Sequence, residues 1–336
     1  MMKKIIIMFT ILIAVVLIGI GTLFYYFQGL NTVNKENSYL IINSEFSLED
    51  ISKQLQDKSI IKSKDTFLLY TKLNRFSNNI KGGNFIVKPN TSYKELSLKL
   101  QSSQSDFTVV TIPEGFSFYQ IAERLEKNTS IKKEDFLGVR VSNLTTNSLV
   151  LNKTNIYYGL EGFLYPDTYY VPNGATEKEI ANLMFDRFNS VFSDKYVDRA
   201  KELGLDINDV ITIASLIEKE AANDSERSKI AGVIYNRIEK GIPLQIDASV
   251  IYAITKGEST MKKVLYDNLK VQDPYNTYVN KGLPPGPIAS PGKPSIEAAL
   301  YPEEHDYLYY VVNGSGGHVF SKTYEEHLNN VKKYIK

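Results

Sequence analysis

Residues 206–241, DINDVITIASLIEKEAANDSERSKIAGVIYNRIEKG, decide how the larger part of this chain is read. Asp206 is a helix N-cap residue placed just ahead of an apolar run. At about 100° per residue, Val210, Ile213, Ala214, Ile217 and Ala221 fall on one stripe of that helix. The polar stretch AANDSER then breaks the pattern, and a second helix follows through Ile230 and Ile234. Glu218 lies about 100° from Ile217, on one margin of the stripe, and Glu220 lies about 160° round from Glu218, near the opposite margin. Lys219 points away from the core. A carboxyl half-buried beside apolar side chains tends to hold its proton, and Glu218 is expected in such a place. From the pattern alone, EKE reads at least as readily as a solvated, charged helix end.

The same geometry limits mechanism. Two carboxylates that act on one glycosidic bond stand about 5 to 10 Å apart across the sugar, which Glu218 and Glu220 cannot do from one straight helix. A second carboxylate would come from elsewhere. Asp247, in PLQIDASVIY, is a candidate, although it reads equally as an N-cap for ASVIYAI. Gln245 suits an acetamido group, or simply a turn. Polar and aromatic residues in the loops flanking this helix in sequence are expected to line one cleft: Gln245, Asp247, Tyr275, Asn276 and Tyr278, with Glu161 and Tyr165 nearby.

Working outward, FTVVTIPEGFSFYQIAERL reads as a strand, a Pro-Glu-Gly turn and a helix containing Ile121 and Leu125. Another helix is expected near Glu177–Phe192, and YLYYVVNGSGGHVFS is strand-like with a hairpin turn. Upstream, FSLEDISKQLQDKSII carries an apolar set at Ile51, Leu55 and Ile60 behind a capping Ser47. KDTFLLYTKLNRF is a second helix, with Phe67, Tyr70 and Phe76 partly on one face. A Gly-Gly turn, a strand at Phe85–Val87, a cap at Thr91 or Ser92 and a helix through Leu96 and Leu100 follow. The expected fold class is α+β. Its divisions are a stub at 1–4, a transmembrane helix at 5–27, a polar tether at 28–43, a small α+β module at 44–104 and a larger α+β domain at 105–336.

The transmembrane reading rests on Ile5–Phe27, an apolar run without a charge. At about 1.5 Å per residue it spans a hydrocarbon core of about 30 Å. Lys3 and Lys4 ahead of it favour a cytoplasmic N-terminus, and Tyr25 and Tyr26 suit the opposite interface. A cleaved signal peptide is the alternative, but the run is long for an h-region and no A-x-A site follows. Over the chain, 43% of residues are hydrophobic, 23% are charged and the net charge is +1. That balance supports folded domains and gives no electrostatic case for nucleic acid. With no cysteine there is no disulfide, thiolate metal site or cysteine nucleophile. His305, His318 and His327 show no compact ligand spacing, NGSGGH lacks the lysine and helix of a phosphate loop, and no G-x-S-x-G elbow is present.

Six stretches occur in the order of a known family: EGFLYPDTYYVP (161–172), ASLIEKEA (214–221), ERSKIAGVIYNRI (226–238), PLQIDASVIYAI (243–254), PYNTYVNKGLPPGPIASPG (274–292) and LYYVVNGSGGHVFS (308–321). Over roughly residues 108–330 the chain resembles the YceG-like family, the endolytic murein transglycosylases (MltG). Ala248 departs from the pattern, where the family often has proline. The resemblance implies a LysM-like module at 44–104 and a YceG-like catalytic domain after it, anchored at the bacterial cell membrane and facing outward. It implies a lyase that needs no cofactor or metal and acts on peptidoglycan glycan strands beside peptidoglycan synthase complexes. By the same resemblance the catalytic glutamate falls on Glu218. That residue would protonate the oxygen between N-acetylmuramic acid and N-acetylglucosamine, then deprotonate the muramic 6-hydroxyl as a 1,6-anhydro ring closes. The rival readings are a hydrolase that uses water and a non-catalytic wall-binding scaffold.

Overall fold

The computed structural model describes residues 2–28, 30–76, 80–102, 104–144, 154–261 and 263–335. The chain divides into two compact units, Met1–Thr108 and Val109–Lys336. Its class is α+β, and the described strands form three two-stranded sheets.

The first unit opens with helix α1 (Met2–Gln28). Its described apolar side chains between Ile7 and Ile20 are exposed, whereas Phe27 is 6% exposed and packs edge-on against Tyr70. Among the described residues, no helix is long and apolar enough to cross a membrane. Strand β1 (Ser38–Ile42) follows, then α2 (Leu48–Asp57), α3 (Lys64–Leu73), β2 (Gly83–Val87) and α4 (Tyr93–Gln101). Ser47 and Ser92 start α2 and α4 as capping boxes, each hydroxyl accepting from the backbone three residues on while that acidic side chain bonds back.

Strand β1 corrects the reading of 28–43 as a tether. It pairs antiparallel with β2, from Ser38 opposite Val87 to Ile42 opposite Gly83. Leu40 and Ile42 point into the unit's core while Ile41 is 40% exposed, the alternation of a half-buried strand. SYLII is too short to stand out among asparagines, and its partner lies more than forty residues away, so no local pattern announces it.

The second unit holds β3 (Phe107–Thr111), which starts at its boundary, α5 (Phe118–Asn128), α6 (Lys133–Leu137), β4 (Thr168–Pro172), α7 (Glu177–Val191) and α8 (Asp194–Glu202). Helices α9 (Ile207–Glu220), α10 (Arg227–Glu239), α11 (Asp247–Thr255) and α12 (Lys293–Leu300) follow, then the hairpin β5 (Tyr309–Val312) and β6 (His318–Ser321), and last α13 (Tyr324–Tyr334). Asp206 caps α9 by accepting from the Asp209 amide at 2.8 Å.

Helix α9 is the axis of this unit. Besides the expected stripe, Ile211, Thr212, Ser215 and Leu216 are fully buried, because α8, α10, α11 and α12 all pack against it. Burying each large aliphatic side chain contributes about 1.5 to 3 kcal/mol. A helix enclosed on every side has no apolar margin. The surroundings of Glu218 and Glu220, at its end, are therefore set by whichever neighbours reach them.

Candidate active site

Glu220 ends α9 beside a cavity of about 400 Å3 whose lining includes Gln245, Asp247, Tyr278, Arg237 and Tyr310. The Tyr310 hydroxyl, from β5, donates to Glu220 Oε2 at 2.9 Å. The Tyr278 hydroxyl donates to Asp247 Oδ1 at 2.7 Å. Asp247 is the first residue of α11, whose N-cap is Ile246, and it lines the cavity. Gln245 sits in the left-handed region at φ 53°, with its amide bonded to Thr277 O at 3.1 Å. That unusual backbone for a side-chain-bearing residue turns the chain so that Gln245 and Asp247 both reach the cavity. Arg237 ties the walls together: its guanidinium donates to Leu308 O at 2.6 Å, and to Pro243 O and Leu244 O at 2.9 Å each.

Burial pushes the Glu220 carboxyl above the ordinary glutamate value, and the Asp247 charge adds to this against the opposing Tyr310 hydrogen bond and His318. The result is a carboxyl whose protonated form burial favours, next to open space, the environment expected of Glu218.

Glu218 is engaged otherwise. Its Oε2 accepts from Gly292 N at 3.1 Å, Ser295 Oγ at 2.8 Å and Arg227 Nη1 at 3.2 Å. Its side chain is 8% exposed and that of Arg227 11%. Gly292 is the N-cap of α12, so the carboxylate also sits at the positive end of that helix. Arg227 is shared with Asp224 at 3.0 Å. Glu218 lines neither the Glu220 cavity nor a second one of about 860 Å3 beside Arg227. All three of these contacts fall on Oε2 and tie the end of α9 to α12 and to Arg227.

The other expected cleft residues separate. Gln245, Asp247 and Tyr278 do converge, but on Glu220. Tyr275, Asn276 and Glu161 are interior, at 1%, 0% and 2% exposure, so they are corrected from cleft lining to framework. Tyr275 stacks on Tyr157 with centroids 5.1 Å apart. Asn276 donates to Leu269 O and Val271 O and accepts from Tyr278 N, shaping the loop that presents Tyr278. Glu161 accepts from Phe118 N at 2.9 Å and Tyr252 Oη at 2.8 Å, and burial pushes it up to about 8. Tyr165 lines the larger cavity, with the Arg187 guanidinium 5.7 Å from its ring.

Several participants escaped the sequence reading. Tyr310 and Arg237 lie within quoted motifs, yet nothing local ties either to Glu220. Glu114 read only as part of a turn. Its carboxyl lies against Gly292, where an added Cβ would stand 1.9 Å from Oε1, and it is raised first by burial and then by the charge of Glu218. His318 bonds Glu226 through Nδ1 at 2.9 Å and through its amide at 2.6 Å, latching the NGSGGH turn to the segment after α9.

The profile of the YceG-like family matches residues 40–333, most of the chain and every residue of this site. The chain belongs to the YceG-like family. It is 34% identical over 333 residues to a Bacillus subtilis (strain 168) protein named endolytic murein transglycosylase, covering 94% of this chain and 91% of that relative. A Streptococcus pneumoniae (strain D39) protein of the same name is 30% identical over 315 residues, covering 86% of this chain and 57% of its own length. A crystal structure of a YceG-like protein from Listeria monocytogenes superposes with a TM-score of 0.62 at 35% identity, over 88% of this chain and 99% of that one. Both glutamates of EKE lie within the matched range of this YceG-like chain.

Proposed function

We propose that this chain is an endolytic lytic transglycosylase of peptidoglycan, cutting the β-1,4 bond between N-acetylmuramic acid and N-acetylglucosamine and leaving 1,6-anhydro ends on nascent strands. The relatives' names support the substrate and reaction class. The observation that carries the mechanism is a proton-holding carboxyl, Glu220, beside the cavity that collects Gln245, Asp247 and Tyr278.

On this reading Glu220, rather than Glu218, is the acid. Tyr310 engages Oε2, so Oε1 carries the transferable proton. Glu220 protonates the leaving glycosidic oxygen. The resulting carboxylate then takes the proton of the muramic 6-hydroxyl as that oxygen attacks the anomeric carbon and closes the anhydro ring. One residue serves both steps because the nucleophile belongs to the substrate. The Asp247 carboxylate opposes positive charge developing on the sugar, as oxocarbenium-like transition states require. Two carboxyls lining one cavity also favour a second reading, in which Asp247 activates a water and the product has a reducing end.

The deciding experiment incubates purified glycan strands with wild type, Glu220→Gln and Glu218→Gln and reads the products by mass spectrometry. Anhydromuramyl ends from wild type, and a loss of about 10² to 10⁴-fold or more in Glu220→Gln, are expected. Reducing ends would establish the hydrolase, and an active, folded Glu220→Gln protein would remove Glu220 from the mechanism. Because the acid must be protonated, activity should fall as pH rises through the Glu220 titration, which burial moves above the ordinary glutamate value.

Helix α1 is read as a single-pass anchor, with residues 1–4 cytoplasmic and the chain that follows the helix outside. Its 27 residues reach about 40 Å at 1.5 Å each, and its described apolar side chains from Ile7 to Ile20 are exposed. The first unit, with its own core, is read as a LysM-like module that holds glycan. An anchored site of this kind would meet strands where synthase complexes extrude them.

A further inference from the structure

The cavity beside Glu220 has a wall that none of these steps uses. It is built by the C-terminal hairpin and α13. Tyr309 of β5 lies between the Arg237 guanidinium, 4.9 Å from its centroid, and the His327 imidazole, stacked at 5.2 Å with 24° between planes. Arg237 is itself fixed by three carbonyls, so this stack is a firm backing. Tyr324, the first residue of α13, leans on it at 5.8 Å from Tyr309 and 6.3 Å from His327. Yet Tyr324 is 59% exposed, at the lip of the cavity it helps to line. The Thr323 cap, accepting from Glu326 N, fixes where α13 starts and hence where this ring stands. His327 Nδ1, in the same wall, is buried without a hydrogen-bond partner.

A pyranose has an apolar C–H face and a rim of polar substituents. It is held by an aromatic ring on the face and by hydrogen-bonding groups at the rim. Tyr324 offers the ring. Gln245 and Asp247 offer the rim. Charge narrows the class of sugar further. Asp247 repels an anion, and Arg237, the cation among the described residues lining this cavity, has Nε and Nη1 turned to backbone carbonyls and to Gln245 Oε1. A neutral N-acetylhexosamine fits such a site, and a sugar bearing a lactyl carboxylate does not.

We infer that Tyr324 is the stacking platform of a subsite that takes a neutral N-acetylglucosamine unit of the strand next to the scissile bond, with His327 backing the platform. This subsite rests on the reading of the Glu220 cavity as the active site.

The chain contains no tryptophan, so Tyr324→Trp places a single reporter at the lip. The full-length Tyr324→Trp protein in detergent is titrated with the tetramer of N-acetylglucosamine. A saturable change in fluorescence is expected, and no change at millimolar tetramer overturns the subsite. A kinetic arm uses glycan strands: Tyr324→Ala should raise KM about tenfold with kcat within about twofold, while Tyr324→Phe, which keeps the ring, stays near wild type. An unchanged KM in Tyr324→Ala, or equal losses in Ala and Phe, also sinks the proposal. The two readings fail separately. An active Glu220→Gln protein beside a responsive Tyr324→Trp protein retains a sugar site without this acid, and an inert Glu220→Gln protein beside a silent Tyr324→Trp protein retains the acid without this platform.

Discussion

Replacing Glu161 by Gln should stabilise this protein in a strongly pH-dependent way. The carboxyl is 2% exposed, accepts from the Phe118 and Gly162 backbones and the Tyr252 hydroxyl, and is pushed up to about 8 from the ordinary 4.5 by burial. The sign follows from which state ionises first. Below pH 4.5 the folded and unfolded chains are both protonated at this group, and the native state has its full benefit. Between 4.5 and about 8 the unfolded chain ionises while the folded one keeps its proton, so stability declines by about 1.4 kcal/mol per pH unit. Over the interval of about 3.5 pH units from 4.5 to about 8, that reaches about 5 kcal/mol, and it levels off above. Gln keeps the volume, its oxygen can still accept from Phe118 N, and its amide can donate to the Tyr252 oxygen, so the variant lacks the ionisation and loses little else. The assay is urea unfolding followed by circular dichroism at pH 4.5, 6 and 8. The variant should sit near wild type at pH 4.5 and exceed it by roughly 2 to 5 kcal/mol at pH 8. A difference that stays constant across that range would refute a native-state proton on Glu161.

Glu218→Gln removes one partner of a buried ion pair while Arg227 keeps Asp224, so it should cost about 2 to 4 kcal/mol and lower Tm, with the folded fraction retaining most of its turnover. Thermal melts run beside the glycan assay separate that outcome from a loss of chemistry. Gly232→Ala would bring a Cβ to 2.3 Å from Glu303 O and 2.7 Å from His305 Nε2. Helix α10 has no slack there, and a loss of about 1 to 3 kcal/mol in the melt is expected. For the anchor, protease added outside intact protoplasts should digest residues 44–336; protection of that portion would reverse the orientation.

Much of the architecture was legible because it is local. Capping serines ahead of amphipathic runs placed α2 and α4, Asp206 placed the start of α9, and the turn in NGSGGH placed the β5–β6 hairpin. Each depends on residues a few positions apart. Motif order likewise pointed to the family before any fold was known. Tertiary structure decided what depends on distant neighbours. Strand β1 exists because β2 reaches it, and five residues among asparagines could not announce that. The roles within EKE were decided in the same way. Periodicity could say that Glu218 and Glu220 leave α9 on different sides. It could not say that Gly292, Ser295 and Arg227 close around one, while Tyr310, Asp247 and an open cavity meet the other. Whether a carboxylate is bound up or free to exchange a proton depends on groups seventy to ninety residues away. Only the packing of α12 and β5 against the end of α9 brings them there.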